Sequence, residues 1–496
     1  MHPLARLDHR FVWHPFTQMR DWLRREPIVL VAGRGAVLRD VHGREYLDAN
    51  ASIWTNLHGH NHPRLNAAVR RQLSRLAHSS ALGLANEPAS LLAAELIAEA
   101  NPPGLRGQPK LARVFYSDDG STALEVALKL AYEFARRAGR ARRPRFLSLT
   151  GAYHGDTVGA VSLGHIDLFH RAYAGLLFRS DAVMAPYCYR CPFNRAMPER
   201  ADARTYRQCR WECVNQVEQR LAAQRRRHGE PYAAFVFEPR IQGAAGMIPQ
   251  PDGWLRRVAA LARAHGALLV ADEVMTGFGR TGAYTTPTAG WGARGGISTG
   301  ASLFASHHEG VQPDFLCLAK GLTGGYLPMA ATFTTRAVFD AFLGRYEEFK
   351  TFFHGHSYTA NQLGAAAARA SLALLRSAAS RQTRTRLQAV LGRELAGLWA
   401  LPQVGDIRQV GLVAGVELVR DWTTRAAFDL RERAGARVCE AMARRGVLTR
   451  PIGNVVVLMP PYCATPVQVR RMVGALAGSI EEGLGRGRRT GRPLWW

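Results

Sequence analysis

The sequence predicts an α/β protein with a large central domain and a smaller one made by the two chain ends together. Three observations carry this expectation. At 496 residues the chain is too long for one ordinary core, so two or three lobes are expected. Its middle alternates short apolar runs with amphipathic helical patterns, the arrangement of helices covering a sheet. Its two ends instead carry short β-like runs, which places the divisions at 1–65, 66–376 and 377–496.

In chain order, residues up to about Leu65 read as short strands and turns. Strands are expected at 113–116, 145–149, 234–237, 267–271 and 315–318, and amphipathic helices over 123–136 and 254–265. The stretch 284–305 is rich in Gly, Thr, Ser and Ala without a clear period and reads as an inserted surface loop. After about Ser377 come a helix, β-like runs at 412–419 and 455–458, and a final helix from Pro466. No window approaches the roughly 18 consecutive apolar residues of a membrane span, and the start lacks the apolar stretch of a signal peptide. The expected location is therefore cytoplasmic.

A net charge of +26 suggests nucleic acid, because basic surface supplies most non-specific affinity for phosphates. The distribution argues otherwise. Arginines run the whole length among carboxylates, and the dense clusters at 136–143, 225–227 and 486–489 read as helix ends and a terminus. Seven cysteines are too sparse for a disulfide scaffold. Four of them form two close pairs, Cys188 with Cys191 and Cys209 with Cys213. Such pairs can surround a tetrahedral zinc or simply be reduced thiols in an insertion, and no metal is assigned.

Lys320 is one of only four lysines, and it sits where the apolar run Phe315-Leu-Cys-Leu-Ala319 meets the turn Gly321-Leu-Thr-Gly-Gly325. A desolvated amine at such a strand end can form an imine with a carbonyl. Asp272 closes another apolar run, 267–271, and a carboxylate at a buried parallel strand end marks the crevice where open α/β sheets bind ligands. In Phe115-Tyr-Ser-Asp-Asp-Gly-Ser121, a strand ends in a small-residue turn opening a helix. There Gly120 and Ser121 offer a helix N-terminus to a phosphate. Tyr153, in Gly151-Ala-Tyr-His-Gly-Asp156, can lie against a planar ring. Together these describe a pocket for pyridoxal 5'-phosphate, in which a carboxylate keeps the pyridine nitrogen protonated and a lysine shuttles a proton.

These residues resemble the class III, fold type I aminotransferases over about 11–482. The matching motifs are Asp272-Glu-Val-Met-Thr-Gly-Phe-Gly-Arg-Thr-Gly282, Leu318-Ala-Lys-Gly-Leu-Thr-Gly-Gly325 and Ser357-Tyr-Thr-Ala-Asn361. The resemblance implies a large domain with a mixed sheet. Within the class, Trp13-His-Pro-Phe-Thr-Gln-Met19, His58-Gly-His-Asn-His-Pro63, Tyr153-His-Gly-Asp-Thr157, Thr449-Arg-Pro-Ile-Gly453 and Leu458-Met-Pro-Pro-Tyr462 are similar to a biotin-pathway branch. That branch converts 8-amino-7-oxononanoate to 7,8-diaminononanoate, usually with S-adenosylmethionine as amino donor. The alternative is another class III transaminase of ω-amino acids or diamines.

Position by position, the resemblance implies that Lys320 holds the cofactor, Asp272 its ring nitrogen, Gly120 and Ser121 its phosphate, and that Tyr153 covers the ring. It further implies a homodimer in which His356 and Ser357 reach the phosphate of the other subunit. Arg450 is implied to grip the substrate carboxylate by a bidentate pair, with Gly355, Phe16 and Trp54 lining the same channel. Phe16 stands where S-adenosylmethionine users carry tyrosine, and Ile53-Trp54 replaces paired tryptophans. The stretch Phe352-Phe-His-Gly-His-Ser-Tyr-Thr resembles members using lysine as donor, so both donors stay open.

Overall fold

The computed structural model describes residues 1–105, 107–282 and 302–484. The expected inserted loop therefore falls outside the described residues over 284–301, as does the basic run from Arg486. The described residues divide into two compact units. One comprises Met1–Pro63, Ala196–Tyr206 and Gln382–Trp496, and the other Arg64–Arg195 and Arg207–Arg381. The expected divisions at 65 and 376 place all of 66–376 in the large domain, whereas Ala196–Tyr206 groups with the chain ends. Polar ties hold it there: Arg204 Nη2 donates to Gln409 O at 2.9 Å, Arg200 donates to Val404 O, and the Arg200 guanidinium lies 4.2 Å over the Trp422 ring.

The larger unit is built on a seven-stranded sheet. Its strands are β1 (Leu111–Ser117), β2 (Phe146–Leu149), β3 (Asp181–Val183), β4 (Ala234–Phe237), β5 (Leu268–Asp272), β6 (Phe315–Leu318) and β7 (Ala330–Thr335). Their spatial order is β1-β7-β6-β5-β4-β2-β3. The run from β6 to β3 is parallel, whereas β7 is antiparallel to both β6 and β1, so the sheet is mixed. Strands β2, β4 and β6 are buried along their whole length, as parallel strands covered on both faces must be.

Helix α1 (Gly120–Arg137) follows β1 and buries Ala123, Leu124, Ala127, Leu130 and Ala131, an i, i+3, i+4 stripe. That stripe joins one apolar cluster with Phe146, Val236, Val270 and Phe315 from the strands. Asp119 starts α1 through a capping box: its carboxylate accepts from Thr122 N at 2.9 Å, and Thr122 Oγ1 accepts from Asp119 N at 2.9 Å. The cap fixes where the helix begins, and with it where Gly120 and Ser121 present their backbone.

In the smaller unit the chain ends share a sheet, because Val447–Leu448 pairs in parallel with Glu45–Asp48. A second sheet contains Val404–Val410, Val413–Asp421, Val455–Leu458 and Pro451–Ile452. The last described helix, Pro466–Leu484, packs on the helix Ala434–Arg444.

Candidate active site

In the larger unit, β5 and β6 lie side by side in register, with Asp272 opposite Cys317. Their carboxyl ends therefore release Asp272 and, two residues beyond β6, Lys320 at the same edge of the sheet. Lys320 opens the short turn Lys320–Thr323 with φ +45°, a left-handed conformation that costs a lysine about 1–3 kcal/mol and is typical of functional sites. The surrounding protein desolvates its amine and pushes its pKa below the ordinary lysine value, while the charges of Asp272 and Glu238 oppose the shift. A larger neutral fraction makes the amine a better nucleophile and base.

Asp272 is buried and oriented from two sides. Its Oδ2 lies 2.8 Å from His154 Nδ1, and its Oδ1 accepts from Val274 N at 3.0 Å. His154 is only 2 % exposed, and its Nε2 has no hydrogen-bond partner among the described residues. Glu238 lies in the same buried electrostatic neighbourhood. Gly243 N donates to its Oε2 at 2.8 Å, and burial raises its pKa to about 7 against the nearby imidazole of His154. Glu273, the residue after Asp272, accepts from Ala305 N at 2.6 Å and from Ser306 N and Oγ at 2.8 and 2.7 Å, which pins the chain leading toward β6.

At the start of α1, a Cβ added to Gly120 would meet Val274 Cγ1 at 2.7 Å, so only glycine lets the helix start come this close to the loop after β5. Ser121 Oγ accepts from Asp156 N at 3.2 Å, and a Cβ on Gly155 would overlap Ser121. The same loop carries Tyr153, whose hydroxyl donates to Asp156 Oδ2 at 2.6 Å. Burial and that carboxylate hold the phenol protonated well above its ordinary range. The fold thus gathers Lys320, Asp272, Tyr153, Gly120 and Ser121 around the ends of β1, β2, β5 and β6.

Gly355, His356 and Ser357 lie on a different loop of this unit. Gly355 and Ser357 are exposed, His356 Nδ1 stands 3.8 Å from Asp118 Oδ2, and His78 donates to Ser357 O at 2.9 Å. Arg450, Phe16 and Trp54 belong to the smaller unit. Arg450 Nη2 donates to Phe16 O at 3.3 Å, and burial lowers the guanidinium pKa from its usual value. Trp54 is buried and donates its indole N–H to Asn50 Oδ1 at 2.9 Å, so Ile53 is the more exposed of that pair. Both stand in a left-handed stretch, Ala51 to Trp54, with φ between +44° and +69°.

The sequence reading did not single out His154 or Glu238. His154 was visible only as the neighbour of Tyr153, and its meeting with Asp272 spans 118 residues of chain. Among the described residues, no group of three or more His, Cys, Asp or Glu side chains is placed to hold a metal ion. Nor is any described helix long and apolar enough to cross a membrane.

The model of the aminotransferase class III family matches residues 20–480. The chain belongs to this family. As a class III aminotransferase it has full-length relatives named adenosylmethionine-8-amino-7-oxononanoate aminotransferase. That of Nitratidesulfovibrio vulgaris is 48 % identical over 99 % of this chain and 84 % of its own length. That of Geobacter sulfurreducens is 46 % identical over 95 % and 96 %. Among solved structures, the enzyme of that name from Methanocaldococcus jannaschii is 36 % identical with a TM-score of 0.84, over 97 % of this chain and 99 % of that one. A PLP-bound amine transaminase from an uncultivated Pseudomonas species is 32 % identical with a TM-score of 0.82, over 95 % and 98 %.

Proposed function

We propose that this aminotransferase uses pyridoxal 5'-phosphate to convert 8-amino-7-oxononanoate to 7,8-diaminononanoate in biotin biosynthesis. The observation that carries the substrate is end-to-end identity of up to 48 % with relatives bearing that reaction in their name. The residues fit the cofactor. A fixed carboxylate suits a protonated ring nitrogen, a desolvated lysine suits a carbonyl carbon, and the start of α1 suits a phosphate. Bound, the cofactor supplies an electron-withdrawing ring that stabilises negative charge developing on the amine-bearing carbon.

Each residue then has a task that its surroundings permit. Lys320, kept partly neutral by burial, takes the proton from the substrate carbon and returns it. Asp272 stays oriented because His154 and Val274 N occupy its two oxygens. Gly120 and Ser121 present the first backbone N–H groups of α1, which have no partner within the helix. Tyr153 packs against the ring as a neutral phenol. Arg450 grips the substrate carboxylate, and Phe16, Trp54 and Gly355 line the substrate's path. Gly355, His356 and Ser357 lie on a largely exposed loop, and in the proposed cytoplasmic homodimer that loop serves the second subunit.

S-adenosylmethionine is the donor that the relatives' names support. A second reading, lysine, is favoured by Phe16, which offers a face but no hydroxyl, and by Ile53, which offers neither an aromatic face nor a cation-π partner to a sulfonium. Turnover of 8-amino-7-oxononanoate with each donor at equal concentration tests both. Diaminononanoate formed with S-adenosylmethionine is the expected result. Product with lysine alone selects the second reading, and turnover of ω-amino acids with no diaminononanoate from either donor overturns the substrate assignment.

A further inference from the structure

The four clustered cysteines take no part in the chemistry above, yet the fold brings them together. Cys188, Cys191, Cys209 and Cys213 line one small cavity with Asn194, Arg207 and two prolines. Cys188 opens the turn Cys188–Arg190, and Cys213 lies in the first turn of helix Glu212–His228. The two segments are docked by hydrogen bonds. Asn194 Nδ2 donates to Cys188 O at 2.9 Å, Gln208 N donates to Asn194 Oδ1 at 2.9 Å, and Arg195 N donates to Gln208 O at 3.0 Å.

The four thiols are not equivalent. Cys188 and Cys213 are buried, and burial pushes both thiols up to about 12, which keeps them protonated and unreactive. Cys191 and Cys209 keep partial access to solvent, although burial raises the Cys191 thiol too. Arg207 Nη1 stands 3.0 Å from Cys209 Sγ, and the same guanidinium is held 4.0 Å over the Trp211 ring. The guanidinium therefore stands ready to donate to negative charge that develops on this partly exposed sulfur or on an oxygen bound to it.

We propose that Cys209 is an oxidation-sensitive thiol that reacts with hydrogen peroxide, and that Cys191 resolves it to a disulfide. In the first step the Cys209 sulfur attacks one peroxide oxygen and the O–O bond breaks. The sulfur becomes a sulfenic acid, and the second oxygen leaves as hydroxide that takes up the Cys209 thiol proton to become water. In the second, the Cys191 sulfur attacks the Cys209 sulfur, and the S–O bond breaks. The hydroxide leaves with the Cys191 thiol proton as water. Two thiols lose two electrons, and one hydrogen peroxide becomes two waters. Cys191 is the resolving thiol because the other two neighbours are buried, Cys188 with its sulfur already directed to Pro186 O.

The test is independent of the transamination reading. Purified full-length protein is treated with one equivalent of hydrogen peroxide, its remaining thiols are alkylated, and its peptides are mapped. A Cys191–Cys209 disulfide forming ahead of any oxidation at the exposed Cys463 is expected. In Cys191→Ser the Cys209 sulfenic acid should persist and react with dimedone, and in Arg207→Gln oxidation should slow by about tenfold as the guanidinium contact to the sulfur is lost. A disulfide between any other pair, an Arg207→Gln rate equal to wild type, or a stoichiometric zinc ion released when the four thiols are modified would each overturn the proposal.

Discussion

Lys320 and Asp272 stand at the ends of adjacent strands, and the loss of each is expected to act in its own way. Lys320→Ala should abolish turnover and leave the fold intact, because it removes the cofactor anchor and the proton carrier together. Asp272→Asn should still bind the cofactor while its rate falls by orders of magnitude, since a neutral amide no longer holds a protonated ring nitrogen. Near-normal transamination by the alanine variant contradicts these roles. His154→Ala leaves one Asp272 oxygen buried without its partner, at a cost of about 1–3 kcal/mol, and kcat should fall by roughly one to two powers of ten. A KM change with kcat untouched would show that His154 does not act through Asp272. Of these residues, Lys320 and Asp272 were legible because each closes an apolar run at a strand end. His154 was not, because histidine in a loop carries no local sign of a partner in a distant strand.

The elements that position the site were legible where burial is total and the side chains are strongly apolar. The runs at 234–237 and 315–318 coincide with β4 and β6, and those at 113–116, 145–149 and 267–271 lie within a residue or two of β1, β2 and β5. Strand β7 went unseen because Ala-Ala-Thr-Phe-Thr-Thr offers little hydrophobicity and no alternation, although every residue in it is buried. Strand β3 went unseen because Asp181-Ala-Val183 is a three-residue edge strand. The left-handed stretch Ala51 to Trp54 is illegible for a different reason: no glycine announces it, and L-residues disfavour that conformation by about 1–2 kcal/mol each. At Ile53, φ +69°, the order of substitutions should therefore invert. Ile53→Gly is expected to be more stable than Ile53→Ala by about 1 kcal/mol in urea unfolding, whereas a right-handed turn would favour alanine.

At the scale of the whole molecule, the pairing of the two chain ends in one sheet was foreshadowed by their matching β-like runs. The membership of Ala196–Tyr206 was not, because arginine contacts to backbone carbonyls leave no pattern in sequence. The larger unit also carries opposing buried ionisable groups. Burial raises Glu238 and Glu273 from 4.5 to about 7, so the folded state binds the extra protons and their contribution to stability falls as pH rises from about 4.5 to 7. It lowers His307 and His308 from 6.5 to about 4 and about 3, so there the unfolded state binds the extra protons and stability rises over much of the same range. Glu238→Gln deletes one falling contribution. Between pH 5 and 7 its unfolding free energy should change with pH more positively than that of wild type, by up to about 1.4 kcal/mol per pH unit. Parallel pH profiles for the two proteins would mean that Glu238 is ionised throughout. The most direct test of the central claim uses the scarcity of lysine in this chain: protein loaded with pyridoxal phosphate is reduced with borohydride, digested and mapped by mass spectrometry. A pyridoxyl group on Lys320 is the result expected, and a label on Lys110, Lys129 or Lys350 instead, or no label at all, would contradict it.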